Sequence, residues 1–177
     1  QISKHFDKID FEMNKREFIT HTGTYKGMHL TVLSTGIGTD NVEIVMQELD
    51  ALANINLKTR KAKSRKKRLR IIRVGTSGAL QQDVRLGSHV VSRFGLGLDT
   101  LMQFYQFQMT AFESYISNQI QDKTGLSFQP YCAEGSPTLL NLIGKEMTVG
   151  NTVTCPGFYA PQVRALRYKL RHPNLLD

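Results

Sequence analysis

An α/β fold with a mixed central β-sheet flanked by helices is predicted by three stretches read together. His29-Leu30-Thr31-Val32-Leu33-Ser34 has strand propensity on both faces, as a strand buried within a sheet would. Gly36-Ile37-Gly38 ends it, and beyond Asp40 the residues Val42, Ile44, Val45, Leu49, Leu52 and Ala53 trace an apolar helical face. Asp40 and Glu43 are spaced as a capping box for that helix. Ile71-Ile72-Arg73-Val74 then reads as a second short strand, buried, with an arginine inside it. Strand, capped helix and strand make a βαβ unit, which requires a parallel or mixed sheet.

The other elements follow in order. Residues from Phe6 to Ile19 are mixed in character, and Thr22 to Gly27 reads as a turn-rich hairpin connection. Ser88 to Ser92 is a strand, and Gly95-Leu96-Gly97-Leu98-Asp99 reads as a loop. Leu101, Phe104, Tyr105, Met109, Phe112, Ile116 and Ile120 fall near a 3.6-residue period, which predicts a helix reaching Lys123 with its Met/aromatic stripe in the core. Phe128 to Glu134 is a candidate strand, and Ser136-Pro137 carries the cap-then-proline signature of a short helix through Ile143. Gly150 to Cys155 is a last strand. The 177 residues, 40% hydrophobic and 21% charged, suit one domain with a real core.

The net charge of +8 resembles that of a nucleic-acid binder until it is located. Lys58, Arg60, Lys61, Lys63, Arg65, Lys66, Lys67, Arg68 and Arg70 supply nine positive charges with no acid among them, so the remainder of the chain carries a formal −1. The 58–70 run lacks an apolar period and is expected to be an exposed, mobile insertion. Polyanion binding through it would be a side activity at best, and nucleic acid is not the expected partner. No stretch is apolar for long enough to span a bilayer, and the N-terminus does not resemble a signal peptide. Cys132 and Cys155 are not spaced as metal ligands and read as reduced core thiols, which points to the cytoplasm. The five histidines form no ligand motif, so no metal is expected.

Chemistry concentrates around Gly75-Thr76-Ser77-Gly78. A turn without bulky side chains lets backbone N–H groups approach an anion, while Thr76 and Ser77 add hydroxyls and Arg73 a charge. Taken alone, the tetrapeptide is also what an ordinary glycine turn after a strand looks like.

The order of motifs along the chain narrows this. Arg16-Glu17-Phe18, then Ser34-Thr35-Gly36-Ile37-Gly38, then Arg73-Val74-Gly75-Thr76-Ser77-Gly78-Ala79, then Phe158-Tyr159-x-x-Gln162-x-Arg164 together resemble the nucleoside phosphorylase-I family, and within it uridine phosphorylases most closely. The resemblance implies a three-layer α/β/α fold and phosphorolysis of a pyrimidine nucleoside: uridine and phosphate give uracil and ribose 1-phosphate. Inorganic phosphate is then a co-substrate, and the implied chemistry needs no metal or organic cofactor.

Position by position, the resemblance makes Arg73 and Thr76 phosphate ligands, and Arg16 an arginine that reaches the phosphate of a neighbouring copy in a dimer-based oligomer, possibly a hexamer. It places Thr76, Ser77 and Gly78 along ribose and base, Phe158 in the nucleoside pocket, and Gln162 and Arg164 on the pyrimidine. Arg73, Gln162 and Arg164 become the catalytic residues.

Two further expectations follow from the same resemblance. The family's first strand, with its glycine loop, would lie before Gln1 and its Glu-Met-Glu ribose segment after Asp177, so the chain reads as a family fragment lacking both ends. Val163 stands where relatives carry glycine or glutamate. The alternatives are a purine nucleoside phosphorylase of the same family, against which Gln162 and Arg164 argue, an inactive family remnant, or a polyanion binder acting through 58–70.

Overall fold

The computed structural model describes residues 2–176. They gather into two compact units, divided between Arg73 and Val74. The architecture is mixed α/β.

The first unit is built on an antiparallel meander of β1 (Lys8–Lys15), β2 (Phe18–Tyr25) and β3 (Met28–Leu33), in that order across the sheet. Two tight turns fix its register. Arg16 takes a left-handed conformation, φ 55°, at the β1–β2 turn. Lys26 and Gly27 both have positive φ, 48° and 76°, as a two-residue hairpin turn matched to strand twist requires. The Lys26 N–H donates to Asp7 Oδ2 at 2.6 Å, which ties the turn to the start of β1. The hairpin connection is thus shorter than expected, because Thr22 to Thr24 pair with both neighbouring strands and Tyr25 with β3.

Strand β3 forms where predicted but lies at the sheet edge, with Leu30, Val32 and Leu33 half-buried and its other residues exposed. Helix α1 (Thr39–Asn54) follows. Its N-cap is Gly38, at φ 97° and without a side-chain capping bond, so Asp40 sits in the first turn instead of capping it. Val45 is the buried residue of the apolar face, while Ile44 and Leu52 are exposed.

The second strand expected at Ile71–Val74 does not form: residues 71–74 take no regular structure, and all four are exposed. A strand of mainly apolar residues is stable only where neighbours pair with it and layers cover its faces. Among the described residues no strand pairs with this one. The crossover therefore ends in a short hairpin, β4 (Ile55–Asn56) against β5 (Lys61–Ala62).

The second unit holds the mixed sheet. Strand β6 (Val90–Gly97) is central, antiparallel to β7 (Tyr131–Glu134) and parallel to β8 (Thr148–Thr154). β6 runs five residues past the predicted end, through the stretch read as a loop. Its glycines are the reason. Both neighbours pair with Gly95 and Gly97, and a Cβ on Gly97 would collide with the Tyr131 ring.

The helix predicted from Leu101 to Lys123 is two pieces, a 3-10 turn at Leu101–Phe104 and helix α2 (Ala111–Thr124). The break is set by Thr110 and Glu113, which form a reciprocal capping box that starts α2 at residue 111. α2 packs on β7, with Phe112 tilted against Phe94 at 5.5 Å between ring centroids. Ser136 caps α3 (Pro137–Ile143), as its sequence signature predicts. Val91, Phe94, Leu98 and Cys132 are the buried apolar residues of this unit.

Candidate active site

In a sheet with parallel strands, ligand-binding loops leave the carboxyl ends of those strands. In the second unit these are the ends of β6 and β8, which finish side by side: the Leu98 N–H donates to Thr154 O at 2.9 Å. Asp99, next after Leu98, is buried and bonded on both oxygens. Its Oδ1 accepts from the Leu101 N–H at 2.9 Å and its Oδ2 from the Tyr131 hydroxyl at 2.9 Å. Burial, together with the hydrogen bond to Asp99 and its negative charge, pushes the Tyr131 phenol well above its ordinary value, so the hydroxyl stays a donor.

The chain leaving β8 closes on itself. Gly157, at φ 148°, opens a turn that only glycine adopts readily. A 3-10 turn at Ala160–Gln162 follows, and the carbonyl of Tyr159 accepts from both the Gln162 and Arg164 N–H groups, each at 2.9 Å. The Gln162 Nε2 donates to Gly157 O at 3.0 Å. That leaves the amide oxygen and the second amide hydrogen for a ligand. Val163 is held at φ 59°, a strained conformation for a β-branched residue. Phe158 and Arg164 are exposed.

Phe158, Gln162 and Arg164 are therefore brought onto one ordered loop. Thr76, Ser77 and Gly78 lie in an exposed segment without regular structure, and no hydrogen bond among the described residues joins them to that loop. Arg16 is exposed at the tip of the β1–β2 turn, and Arg73 ends the first unit. Arg73 is not the buried strand arginine that its apolar neighbours suggested. Because its strand does not form, its guanidinium is exposed and needs no buried partner.

Sequence reasoning missed Asp99 and Tyr131, which join β6 to β7 at this edge. No motif marks them. It also missed the Thr110–Glu113 cap, although Thr-x-x-Glu is a readable signal. Glu113 is buried; its Oε2 accepts from the Thr110 N–H at 2.7 Å and its Oε1 from the Glu134 N–H at 2.8 Å. These hydrogen bonds, the one to Thr110 first, hold its carboxyl below the usual range. Cys132 and Cys155 are free thiols, both pushed up by burial, Cys132 further by Glu113. No group of three or more His, Cys, Asp or Glu among the described residues is placed to hold a metal ion. No helix among them is long and apolar enough to cross a membrane.

Comparison with known proteins adds the following. The sequence model of the phosphorylase superfamily matches residues 1–175. The chain is similar to a uridine phosphorylase of Thermococcus kodakarensis, 32% identical over 90 residues, covering 51% of this chain and 27% of that protein. It is similar also to a DeoD-type purine nucleoside phosphorylase of Chromobacterium violaceum, 28% identical over 171 residues, covering 93% of this chain and 54% of the relative. The chain thus spans about half the length, or less, of these relatives. Among solved structures, it is similar to a Trypanosoma brucei nucleoside phosphorylase that shows uridine phosphorylase activity, with a TM-score of 0.85 and 27% identity, covering 99% of this chain and 65% of that one.

Proposed function

The chain belongs to the phosphorylase superfamily, and from that premise we propose that it carries the phosphate and base-recognition elements of a pyrimidine nucleoside phosphorylase acting on uridine. The observation that carries this reading is the Gly157–Arg164 loop. An amide whose orientation is fixed by Gly157 O sits two residues from an exposed guanidinium, at the carboxyl edge of the parallel pair. The amide oxygen and remaining amide hydrogen of Gln162 match the donor–acceptor edge of a pyrimidine ring. Similarity to the Trypanosoma brucei enzyme over nearly the whole chain supports the same reading.

Phosphorolysis forms a bond from a phosphate oxygen to the anomeric carbon. The bond from that carbon to the base nitrogen breaks, and its electron pair stays on the base. The transition state has oxocarbenium character, by analogy with glycoside hydrolysis. Phosphate is already an anion and must be held and aimed, a task suited to the Arg73 fork with Thr76 and the backbone of Thr76-Ser77-Gly78. Arg164 favours the charge developing on the ring. Arg16, exposed on its turn, is available to complete the phosphate site of a second copy.

The DeoD-type relative covers 93% of this chain, against 51% for the Thermococcus uridine phosphorylase, and it motivates a second reading with a purine nucleoside as substrate. Release of free base from uridine and from inosine, with and without phosphate, separates the two. Phosphate-dependent uracil release is expected. Phosphate-dependent hypoxanthine release without uracil would replace the pyrimidine reading by the purine one. Release of neither base would mean that these 177 residues do not carry the activity.

A further inference from the structure

The Lys58–Arg70 segment is exposed, as its composition predicts. Its backbone is bonded to the end of helix α1 through Asn54, which is buried. The Asn54 Oδ1 accepts from the Lys67 N–H at 2.6 Å, and its Nδ2 donates to Lys67 O at 3.1 Å and to Asp50 Oδ1 at 2.6 Å. The Lys63 N–H donates to Asn54 O at 2.8 Å, and Lys63 Nζ donates to Ala53 O at 2.7 Å. Helix α1 has no basic residue in its last turn, so Lys63 supplies the cation that its carbonyl end favours. One lysine is thereby used in the fold, and the backbone of residue 67 is tied to Asn54.

The other eight cations are exposed. The ion pairs of the described residues lie elsewhere, at Lys8–Asp10, His21–Glu12, His29–Asp10 and Arg93–Glu134, and none involves residues 58–70. Like charges crowded on an anchored platform repel one another, and a run of anions relieves that repulsion. We infer that the Lys58–Arg70 platform is a binding surface for the phosphate backbone of nucleic acid, separate from phosphorolysis. No aromatic residue occurs from 55 to 74, so the segment lacks the aromatic platform on which single-stranded binders stack successive bases. Among the described residues no helix lies between Asn54 and Leu101, so the segment has no amphipathic face to insert into a membrane. What remains is contact with backbone phosphates, indifferent to sequence and steeply salt-dependent.

The test is fluorescence anisotropy of the whole chain with a labelled 20-base-pair DNA duplex of arbitrary sequence, titrated from 50 to 200 mM salt. Binding is expected at low salt, weakening by roughly a thousandfold or more across that range. The variant Arg65→Ser, Lys66→Ser, Lys67→Ser, Arg68→Ser, Arg70→Ser keeps Lys63 and the Asn54 bonds, which use only the backbone of residue 67. It should lower the slope of log affinity against log salt by about 4 to 5, at ~0.9 for each phosphate that is no longer neutralised. Circular dichroism and thermal unfolding matching the parent would show that the variant is folded. Absence of duplex binding by the intact chain at 50 mM salt would overturn the inference. So would an unchanged slope in the folded variant, or binding to phosphatidylserine vesicles with none to the duplex.

Discussion

Two glycine-bearing loops lie in the second unit, and the chain builds them in opposite ways. Gly75 to Gly78 is exposed along its whole length, and none of its residues makes a hydrogen bond with another described residue. Gly157 to Arg164 leaves the end of a paired strand and is closed by four internal bonds, three onto backbone carbonyls from N–H groups and one from the Gln162 amide. The first loop has the composition of an anion cradle without a framework. The second has a framework that fixes a side chain. Glycine signals what a backbone is free to do, and only strand pairing and local hydrogen bonds decide whether that freedom is used.

The difference can be broken most directly at Arg73. Being exposed, its guanidinium holds up no part of the fold, so Arg73→Ala should change stability by no more than about 0.5 kcal/mol. If it binds phosphate in the transition state, the same change should lower kcat/KM for phosphorolysis by about 10²- to 10³-fold. Activity and thermal unfolding measured on one preparation decide it. A large fall in Tm would mean that Arg73 is structural, and unchanged turnover would mean that phosphate is held elsewhere.

Gln162 belongs to the built loop and should behave differently. Gln162→Ala removes both the bond to Gly157 O and the amide offered to the base. The expected loss is about tenfold in kcat/KM for uridine, the worth of one well-placed neutral hydrogen bond, with KM for phosphate little changed. Parallel losses toward both substrates would assign the residue to loop folding alone.

Below the loops, Tyr131→Phe tests the framework itself. It leaves Asp99 Oδ2 without its donor in a buried position at the end of β6. Stability should fall by about 1 to 2 kcal/mol. For a chain of this size that is a Tm lower by about 2 to 8 °C. An unchanged Tm would show that water replaces the hydroxyl and that the strand edge does not depend on this pair.

Elements with local signals were legible in the sequence. Ser136-Pro137 opens α3, and Met28–Leu33 and Thr148–Thr154 form strands where apolar, β-branched residues run between turns. What misled was pattern without partners. Ile71-Ile72-Arg73-Val74 has the composition of a buried strand, yet pairing is a tertiary property that four residues cannot supply. The reverse error occurred at Gly95–Gly97, where glycines that read as a loop continue a central strand because the Tyr131 ring needs the space. Of the candidate site, the Phe158, Gln162 and Arg164 grouping was visible because it is local in sequence. Asp99 and Tyr131 meet across 32 residues and were not.

The smallest expected effect concerns pH, and it sharpens the contrast between exposed chemistry and bonded scaffold. Glu113 accepts backbone N–H bonds from both Thr110 and Glu134, so one carboxylate caps α2 and joins it to the end of β7. Those bonds favour the ionised form and hold its folded-state pKa below the ordinary 4.5. A depressed carboxyl contributes stability that is fully present above the unfolded pKa and is lost as pH falls through the folded one. Glu113→Gln keeps one accepting oxygen and turns the other position into a donor facing a backbone N–H. The gap in Tm between parent and variant should therefore be widest near neutral pH and should close as pH drops below 4.5. A gap independent of pH would mean that shape and not charge is what Glu113 supplies. Arg73→Ala, changing an exposed residue, should show no such acid-dependent gap.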